Sequence, residues 1–373
     1  MSKAAELANL IGNINAGGGG VNRNVIINGA MNVAQRNTSV TGAGDYSDAT
    51  KVGYLTCDRW TIGANNTDTR YTISQDSSGP SGFANSLKLD CTTADTGAYA
   101  SEEIVLTQKI EGQNVQSFCK GTSDAKPFAV SFYVKADSSA TYVAELFDAD
   151  NTRHVCSTFS VTTDWTRVEI SFPADTTGAF GDDNGDSLYL NIWLQAGTDF
   201  TSGTLPSTWA SKTNANRAVG ISRFGATTSD TFFLTGVQIE VGQNPTSFEV
   251  EPYERTLTKC QRYFQQWTQE ASGFATNNYA AVTDSVMHAD TYAFMQYHNP
   301  VDLRATPSLA FNGNFVSNNS GADRALSSLQ INTKTPHVTS FYGTIPDNNE
   351  AGQAGFMRAN NDGDASIFFD SEL

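Results

Sequence analysis

Apolar and polar positions follow two different periods along this chain of 373 residues. Near the start the period is that of a helix, and its apolar positions are Leu7, Leu10, Ile11 and Ile14. This spacing predicts a helix over residues 2–15 that is capped by Ser2 and carries one apolar stripe. Because so short a helix is marginally stable alone, the stripe is expected to pack on the protein's own body or on a partner.

Beyond this helix the period becomes that of strands. The sequence AGGGG at residues 16–20 predicts a flexible joint. From residue 21 to residue 250, short runs alternate apolar and polar side chains, as in FAVSFYVKAD, SLYLNIWLQAG and DTFFLTGVQIEVG. Turn sequences such as SGPSG and DDNGD separate the runs. The pattern predicts an antiparallel β-sandwich of the jelly-roll kind.

A second helical spacing occurs in EPYERTLTKCQRYFQQW, residues 251–267. Its apolar positions form a heptad-like seam: Tyr253, Leu257, Cys260, Phe264 and Trp267. The seam predicts a short helical linker that either packs on the sandwich or joins copies of the chain around an axis.

Residues 268–373 return to strands and turns and predict a smaller, distal C-terminal β-domain. The predicted fold class is therefore mainly β. The predicted order along the chain is a helix with its joint, a sandwich, a helical linker and a distal domain, over residues 1–20, 21–250, 251–267 and 268–373.

Composition narrows the classes of function. The formal net charge of −16 disfavours nucleic-acid binding, because an acidic surface repels phosphate. No stretch approaches the roughly 18 apolar residues of a membrane span, and the start has no signal-peptide pattern, so no membrane insertion is expected. The five cysteines have long spacings and predict free thiols in a reducing compartment, with neither a disulfide framework nor zinc.

Motifs for catalysis are missing from the sequence. None of the four histidines belongs to a close ligand pair, and no nucleophile elbow or Walker loop occurs. We therefore predict no catalytic residues, no cofactor and no enzymatic activity.

One weak candidate for a metal site lies in GDDNGDS, residues 181–187, at spacing that resembles the start of an EF-hand: Asp182, Asn184 and Asp186. Ser187 and Trp193 stand where that loop requires Gly and Glu, so an acidic turn is the better explanation.

Aromatic side chains outside clear strand cores are the candidates for a binding surface. Trp209 stands in the loop-like segment TLPSTWASKT, where it either plugs one end of the sandwich or stacks on a sugar ring. Four further candidates in the distal domain are equally well explained as strand core: Tyr279, His288, Tyr292 and Tyr297. Paired carboxylates suited to glycoside hydrolysis cannot be selected by sequence from 39 acidic residues.

Four motifs in order resemble those of bacteriophage tail-fibre and related virion proteins. They are NVIINGAMNVAQRNTS at 24–39, DRWTI at 58–62, FFLTGVQIEVGQNPTSFE at 232–249 and YERTLTKCQRYFQQW at 253–267. The central FAVSFYVKAD, DWTRVEISFPAD and LYLNIWLQAG are also similar to jelly rolls of the carbohydrate-binding-module kind. One departure is local: VEPYER stands where a short basic–aromatic turn often follows the FE element.

The resemblance implies a non-enzymatic virion protein, commonly a homotrimer, and most simply a tail fibre that attaches to host-surface glycan. A capsid decoration or head-fibre protein is the alternative. A polysaccharide-degrading fibre enzyme is a weaker one, because no β-helix repeat is visible. In such a protein the N-terminal helix docks on other virion proteins and the seam aligns three chains. The chain would fold in the bacterial cytoplasm before it joins the virion.

Overall fold

The computed structural model describes residues 2–15, 22–97, 99–268, 279–289, 291–319, 321–335, 337–345 and 351–373. The chain divides into two compact units, residues 1–256 together with Leu373, and residues 257–372. Both units are built mainly from antiparallel strands, which confirms the predicted fold class. Among the described residues, no helix is long and apolar enough to cross a membrane.

The first unit opens with helix α1 (Lys3–Asn15), and a short helix, α2 (Thr198–Thr201), follows its eleventh strand. Its strands are β1 (Ser39–Ala43), β2 (Gly53–Tyr54), β3 (Thr61–Asn65), β4 (Arg70–Asp76), β5 (Ser86–Thr93), β6 (Glu103–Glu111), β7 (Phe128–Ala136), β8 (Ala140–Asp148), β9 (Arg153–Val161), β10 (Thr166–Phe172), β11 (Asp186–Ala196), β12 (Ala210–Ser211) and β13 (Thr231–Val241). A six-stranded sheet has the order β1-β4-β5-β13-β7-β10, and a seven-stranded sheet has the order β12-β9-β8-β11-β6-β3-β2. The two sheets form the predicted sandwich.

The core of the sandwich follows from the alternation along each strand. On β7 the inward side chains Phe128, Val130, Phe132 and Val134 are fully buried. They belong to one apolar cluster that draws on both sheets. Burial of each such side chain stabilises the fold by about 1.5–3 kcal/mol.

The first resembled motif, residues 24–39, is for most of its length an ordered loop rather than a strand. Asn28, which is buried, donates from Nδ2 to the carbonyl oxygens of Val33 and Asp58 at 2.8 and 3.0 Å. Its Oδ1 accepts the Val33 N–H at 3.0 Å. One side chain thus satisfies the backbone groups that a strand partner would otherwise satisfy.

Helix α1 confirms the predicted helix at the N-terminus. The Ser2 hydroxyl accepts the N–H of Ala5 at 3.3 Å, as expected of a cap. Leu7 and Ile11 are 56% and 50% exposed, while Leu10 is half-buried. The side chain of Ile14 and the AGGGG joint lie outside the described residues.

The second unit contains two further sheets, and helix α3 (Tyr253–Gln261) precedes their first strand. The strands are β14 (Phe264–Thr268), β15 (Ala281–Ala289), β16 (Tyr292–His298), β17 (Ser308–Asn312), β18 (Phe315–Asn319), β19 (Ala322–Ala325), β20 (Ser328–Lys334), β21 (Val338–Thr344), β22 (Ala354–Ala359) and β23 (Ser366–Asp370). A three-stranded sheet has the order β14-β23-β17, and a seven-stranded sheet has the order β19-β18-β22-β15-β16-β21-β20. Both contribute to one core, which includes Met287, Phe341 and Phe369.

The predicted helical seam is wrong beyond Gln261, where α3 ends. Residues Phe264–Thr268 form β14 and pair with β23 instead of continuing the helix. The ring of Phe264 stacks on that of Phe368, with centroids 6.1 Å apart. Aromatic side chains favour a strand that has a partner, and here pairing with a distant segment prevails over helical spacing.

Burial also separates the five seam positions. Tyr253 is 51% exposed and Leu257 is half-buried, but Cys260 and Phe264 are buried within their own chain. Trp267 is half-buried, with its ring centroid 5.9 Å from that of Phe315. The five side chains therefore do not form one stripe that could meet other copies of the chain.

Candidate ligand-binding cleft

One face of the seven-stranded sheet in the first unit is turned away from the shared core. The chain that follows β11 covers part of this face, where Phe200 and Ala218 bury Trp193 and Val143. The uncovered part is an open cleft of about 290 Å³. Its walls and floor come from β3, β6, β8, β11 and the segment after β12.

Strand register sets the rows of side chains in this cleft. Tyr189 of β11 lies opposite Lys109 of β6 and Phe147 of β8. Two residues further along β11, Asn191 lies opposite Thr107 and Glu145. Because side chains alternate between the two faces of a sheet, these rows share the outer face.

Glu145 lies beneath the cleft floor, is fully buried and contacts the lining residues Asn191, Trp193 and Arg217. Its carboxylate accepts hydrogen bonds from His154 Nδ1 at 2.8 Å, Asn191 Nδ2 at 3.0 Å and Trp193 Nε1 at 2.9 Å. Arg217 donates to both carboxylate oxygens, from Nε at 2.9 Å and Nη2 at 2.8 Å. Such bidentate, charge-assisted bonds fix the position of the guanidinium group.

The electrostatics of the floor follow from this pairing. Burial alone would raise the pKa of Glu145, but the bonds from His154 and Arg217 outweigh it and lower the pKa to about 2. The Arg217 guanidinium also lies over the Trp193 ring, 4.7 Å from its centroid. Beneath the cleft there is therefore an ion pair of Glu145 and Arg217. The Trp193 ring packs against the guanidinium group, and Asn191 and Trp193 donate hydrogen bonds to the carboxylate.

The same region contains a group that could hold a metal ion. Ligand atoms of Glu145, His154 and Cys156 lie within 4.8 Å of one another, and all three side chains are buried. The arrangement fits a metal poorly, because Glu145 already accepts hydrogen bonds from four side chains and Arg217 supplies the positive charge. Burial and the charge of Glu145 raise the pKa of the Cys156 thiol, which also disfavours a thiolate ligand.

Two rings form one wall of the cleft. Phe147 and Tyr189 are both half-exposed, and their centroids lie 5.4 Å apart at an angle of 66°. The Lys212 ammonium group is 5.6 Å from the Phe147 centroid, and the Lys109 ammonium group is 5.3 Å from that of Tyr189. The wall thus presents aromatic surface next to positive charge.

Glu103 is the acidic side chain that lines the cleft. Among the described residues, its carboxyl group makes no hydrogen bond or ion pair. Burial raises the pKa of Glu103, although the charges of Arg217 and Lys212 act in the opposite direction. The cleft therefore contains one carboxyl group that is available to a ligand.

Trp209 is not available to stack on a sugar, which corrects its assignment as a receptor candidate. It is 8% exposed and belongs to the main core. Its ring centroid lies 5.5 Å from that of Phe128, and its Nε1 donates to the Pro173 carbonyl oxygen at 2.9 Å. The alternative, a plug within the sandwich, describes this position correctly.

The four distal candidates have different environments. Tyr292 is 40% exposed and His288 is exposed, and both lie near the β15–β16 turn. Tyr279 is 36% exposed, with the Arg358 guanidinium 4.4 Å from its ring centroid. Tyr297 is half-buried and stacks on Phe369 with centroids 4.7 Å apart, so its ring belongs to the core of the second unit.

The acidic turn of residues 181–187 has an explanation without a metal ion. Asp182 and Asn184 are exposed, and Asp186 accepts a hydrogen bond from the Tyr189 hydroxyl group. Asp183 accepts the Gly185 N–H at 2.8 Å, which is typical of an Asx turn. Among the described residues, the acidic side chains of this turn do not form a group of three that is close enough to share an ion.

Sequence reasoning missed the cleft because its residues are far apart in the chain. The alternation on β6 does contain the signal, since Ile104, Leu106 and Ile110 face the core while Glu103 and Lys109 face outward. Only the pairing of β6 with β11, and of β11 with β8, brings these outward positions next to Phe147 and Tyr189.

Several solved structures are similar to this chain at low identity. A CBM4 carbohydrate-binding module is 13% identical and covers 57% of this chain and 97% of its own, with a TM-score of 0.28. TmCBM61 in complex with β-1,4-galactotriose is 9% identical over 59% of this chain and 99% of its own, with a TM-score of 0.30.

The enzymatically active domain of tailspike protein 4 of bacteriophage CBA120 is 12% identical, with a TM-score of 0.28. The match spans 58% of this chain but 21% of the tailspike chain. No protein-family model and no curated protein matches. Identities this low carry no information about a ligand, so the chemistry of the cleft depends on its own side chains.

Proposed function

We propose that this protein binds glycans without cleaving them and that the cleft is its sugar site. The observation that carries this proposal is the pair of half-exposed rings, Phe147 and Tyr189, beside the unpaired Glu103 and Lys212. A pyranose ring has an apolar C–H face and a rim of hydroxyl groups. Aromatic surface suits the face, while a carboxylate and an ammonium group suit the rim.

The wider role that we propose is attachment of a phage virion to its host, most simply as a tail fibre. The order of four sequence motifs supports this role. The exposed apolar positions Leu7 and Ile11 on α1 support docking of that helix on another protein. A fibre or decoration protein on the capsid would use the same helix and the same cleft.

The charges of the cleft favour binding over hydrolysis. Glycosidases use two carboxyl groups that flank the bond to be cleaved, about 5–10 Å apart. Glu103 lines this cleft, whereas Glu145 lies under it, is fully buried and accepts hydrogen bonds from neighbouring side chains at both of its oxygens. One accessible carboxyl group does not supply the pair of carboxyl groups that this chemistry uses.

The cleft proposal is tested by substitution of Tyr189. We expect Tyr189→Ala to weaken binding of purified host-surface polysaccharide by about tenfold or more, because the ring supplies the apolar contact. Affinity electrophoresis of the full-length chain measures this change. Tyr46→Ala is the matched control, since Tyr46 is 46% exposed and does not line the cleft.

If both variants bind the polysaccharide as tightly as the unsubstituted chain does, the cleft is not the sugar site. Release of reducing sugar from the polysaccharide by the full-length chain would instead favour the enzymatic alternative.

A further inference from the structure

The second unit has a groove on the outer face of its seven-stranded sheet, crossing β15, β16, β21 and β20. Its volume is about 590 Å³, within the range of roughly 300–1,000 Å³ that is usual for ligand sites. The opposite face of this sheet belongs to the core, through Met287, Ala293 and Phe341. The groove is therefore a separate surface from the cleft of the first unit.

Polar side chains dominate the lining of this groove. Asp284, Gln296, His298 and Asn332 are all exposed, and none makes a side-chain hydrogen bond within the part of the chain that the structure describes. An amide group both donates and accepts, a carboxylate accepts, and an imidazole does either. This mixture matches neighbouring hydroxyl groups, each of which is also a donor and an acceptor.

An apolar border lies beside these polar groups. Phe294 is half-exposed and Val286, its partner across the strand pair, is 49% exposed. The ring of Tyr342 lies 5.9 Å from that of Phe294, and His288 lies 4.7 Å from it on the other strand. A ligand in the groove thus meets apolar surface at one end and hydrogen-bonding groups at the other.

Two other classes of ligand fit this groove poorly. Among the side chains that the structure describes, no Lys or Arg lines the groove, and Asp284 repels anions, so phosphorylated or acidic ligands are disfavoured. The strands β15, β16 and β21 are each paired on both sides. Their backbone groups are therefore already used, and an extended peptide could add as a further strand only along the edge strand β20, not across the groove.

We infer that this groove is a second carbohydrate site and that it takes a neutral oligosaccharide. The chain is then bivalent, with one site in each unit. Two linked sites raise the apparent affinity for a long polysaccharide far above that for a short oligosaccharide, because the second contact forms within one complex.

The test uses the full-length chain and a panel of neutral gluco-, galacto- and xylo-oligosaccharides in isothermal titration calorimetry. We expect the Tyr189→Ala chain to keep one binding event, and the further substitutions Gln296→Ala and His298→Ala to weaken that event at least about tenfold. We also expect its affinity to be independent of salt, since the ligand is neutral. His337→Ala is the matched control, because the His337 side chain is 70% exposed and lies outside the groove.

The second site is overturned if Tyr189→Ala alone abolishes all binding, if the groove substitutions change nothing, or if no neutral oligosaccharide binds. The outcomes also distinguish the two sites. Binding of a neutral oligosaccharide that Tyr189→Ala abolishes and the groove substitutions leave unchanged would leave the cleft standing and remove the groove. A single binding event in the unsubstituted chain that Tyr189→Ala leaves unchanged and the groove substitutions abolish would remove the cleft and leave the groove, whereas two events of which Tyr189→Ala removes one would support both sites.

Discussion

At the scale of single residues, Glu145 fixes the positions of the side chains around the cleft floor. Its two oxygens accept from four side chains, and Arg217 reaches it from a segment 72 positions away in the sequence. A sequence with 39 acidic residues gives no means of selecting this one. The physical reason is that its importance arises from partners on β9, β11 and the segment after β12, which only the fold brings together.

The charge of Glu145 makes stability depend on pH. Its pKa is about 2 in the folded chain and 4.5 as an ordinary value. The ionised carboxylate therefore stabilises the fold fully above an unfolded-state pKa of about 4.5, and this contribution is lost as the pH falls toward the folded-state value of about 2. Glu145→Gln removes the charge and leaves Arg217 without its partner. We expect a loss of about 3 kcal/mol in the free energy of unfolding near neutral pH.

Urea denaturation at about pH 7 and about pH 3 measures this effect, and the difference between variant and unsubstituted chain should shrink at the lower pH. Glu169→Gln is the control, because Glu169 is 38% exposed in its pair with Arg167. A difference that stays constant with pH would contradict the assigned role of the Glu145 charge.

At the scale of elements, alternation predicted most strands of the sandwich, since each has one face in a core and one in solvent. Alternation gave the wrong secondary structure where pairing with a distant strand determines the conformation. The aromatic residues of β14 have helical spacing, yet β23, about a hundred positions away, draws them into a sheet. Strands β18 and β22 carry little of this signal, because FVSNN and AGFMRA alternate weakly.

One buried cation, the Lys120 ammonium group, joins two of the connections between strands of the sandwich. Lys120, on the β6–β7 connection, is fully buried in its side chain and lies 2.5 Å from Asp148 Oδ2 and 3.1 Å from Asp175 Oδ2. Its ammonium group also donates to the carbonyl oxygens of Thr177 and Gly178 at 3.0 and 2.8 Å. The β6–β7 connection, the end of β8 and the β10–β11 connection, which are separate in sequence, thus meet at one nitrogen atom.

Lys120→Met should therefore destabilise the sandwich by about 3–5 kcal/mol, because it leaves Asp148 buried without a cation. Chemical denaturation of the full-length chain measures the loss. Lys126→Met, on the same connection, is the control and should change the free energy of unfolding by no more than about 0.5 kcal/mol, since Lys126 is half-exposed. Similar losses in both variants would show that the ammonium contacts contribute little.

At the scale of the whole molecule, the sequence predicted the division of the chain better than the sites within it. The two compact units meet in sequence at residue 256, inside the predicted linker. Composition and periodicity are averaged over many residues, so the predicted division remains correct even where single strands or helices are predicted wrongly. A site depends on a few contacts between distant strands, and periodicity carries no information about those contacts.

The apolar stripe of α1 makes a prediction about assembly. If the helix docks on another virion protein, deletion of residues 1–20 should leave the oligomeric state of the purified protein unchanged. Light scattering of the full chain and the shortened chain measures this, and we expect three chains in both, each full chain contributing 40.1 kDa. A smaller number in the shortened chain would assign Leu7 and Ile11 to contacts between copies.

The network around Glu145 also bears on how such a protein can change its target. The donors of the floor are occupied by one another, so the rings and charges of the wall, Phe147, Tyr189 and Lys212, rest on a base that does not depend on them. If the cleft is the sugar site that we propose, a substitution in the wall should alter which sugar binds and leave the folding of the sandwich largely intact. Adaptation to a new surface sugar is thereby separated from the risk of losing the fold.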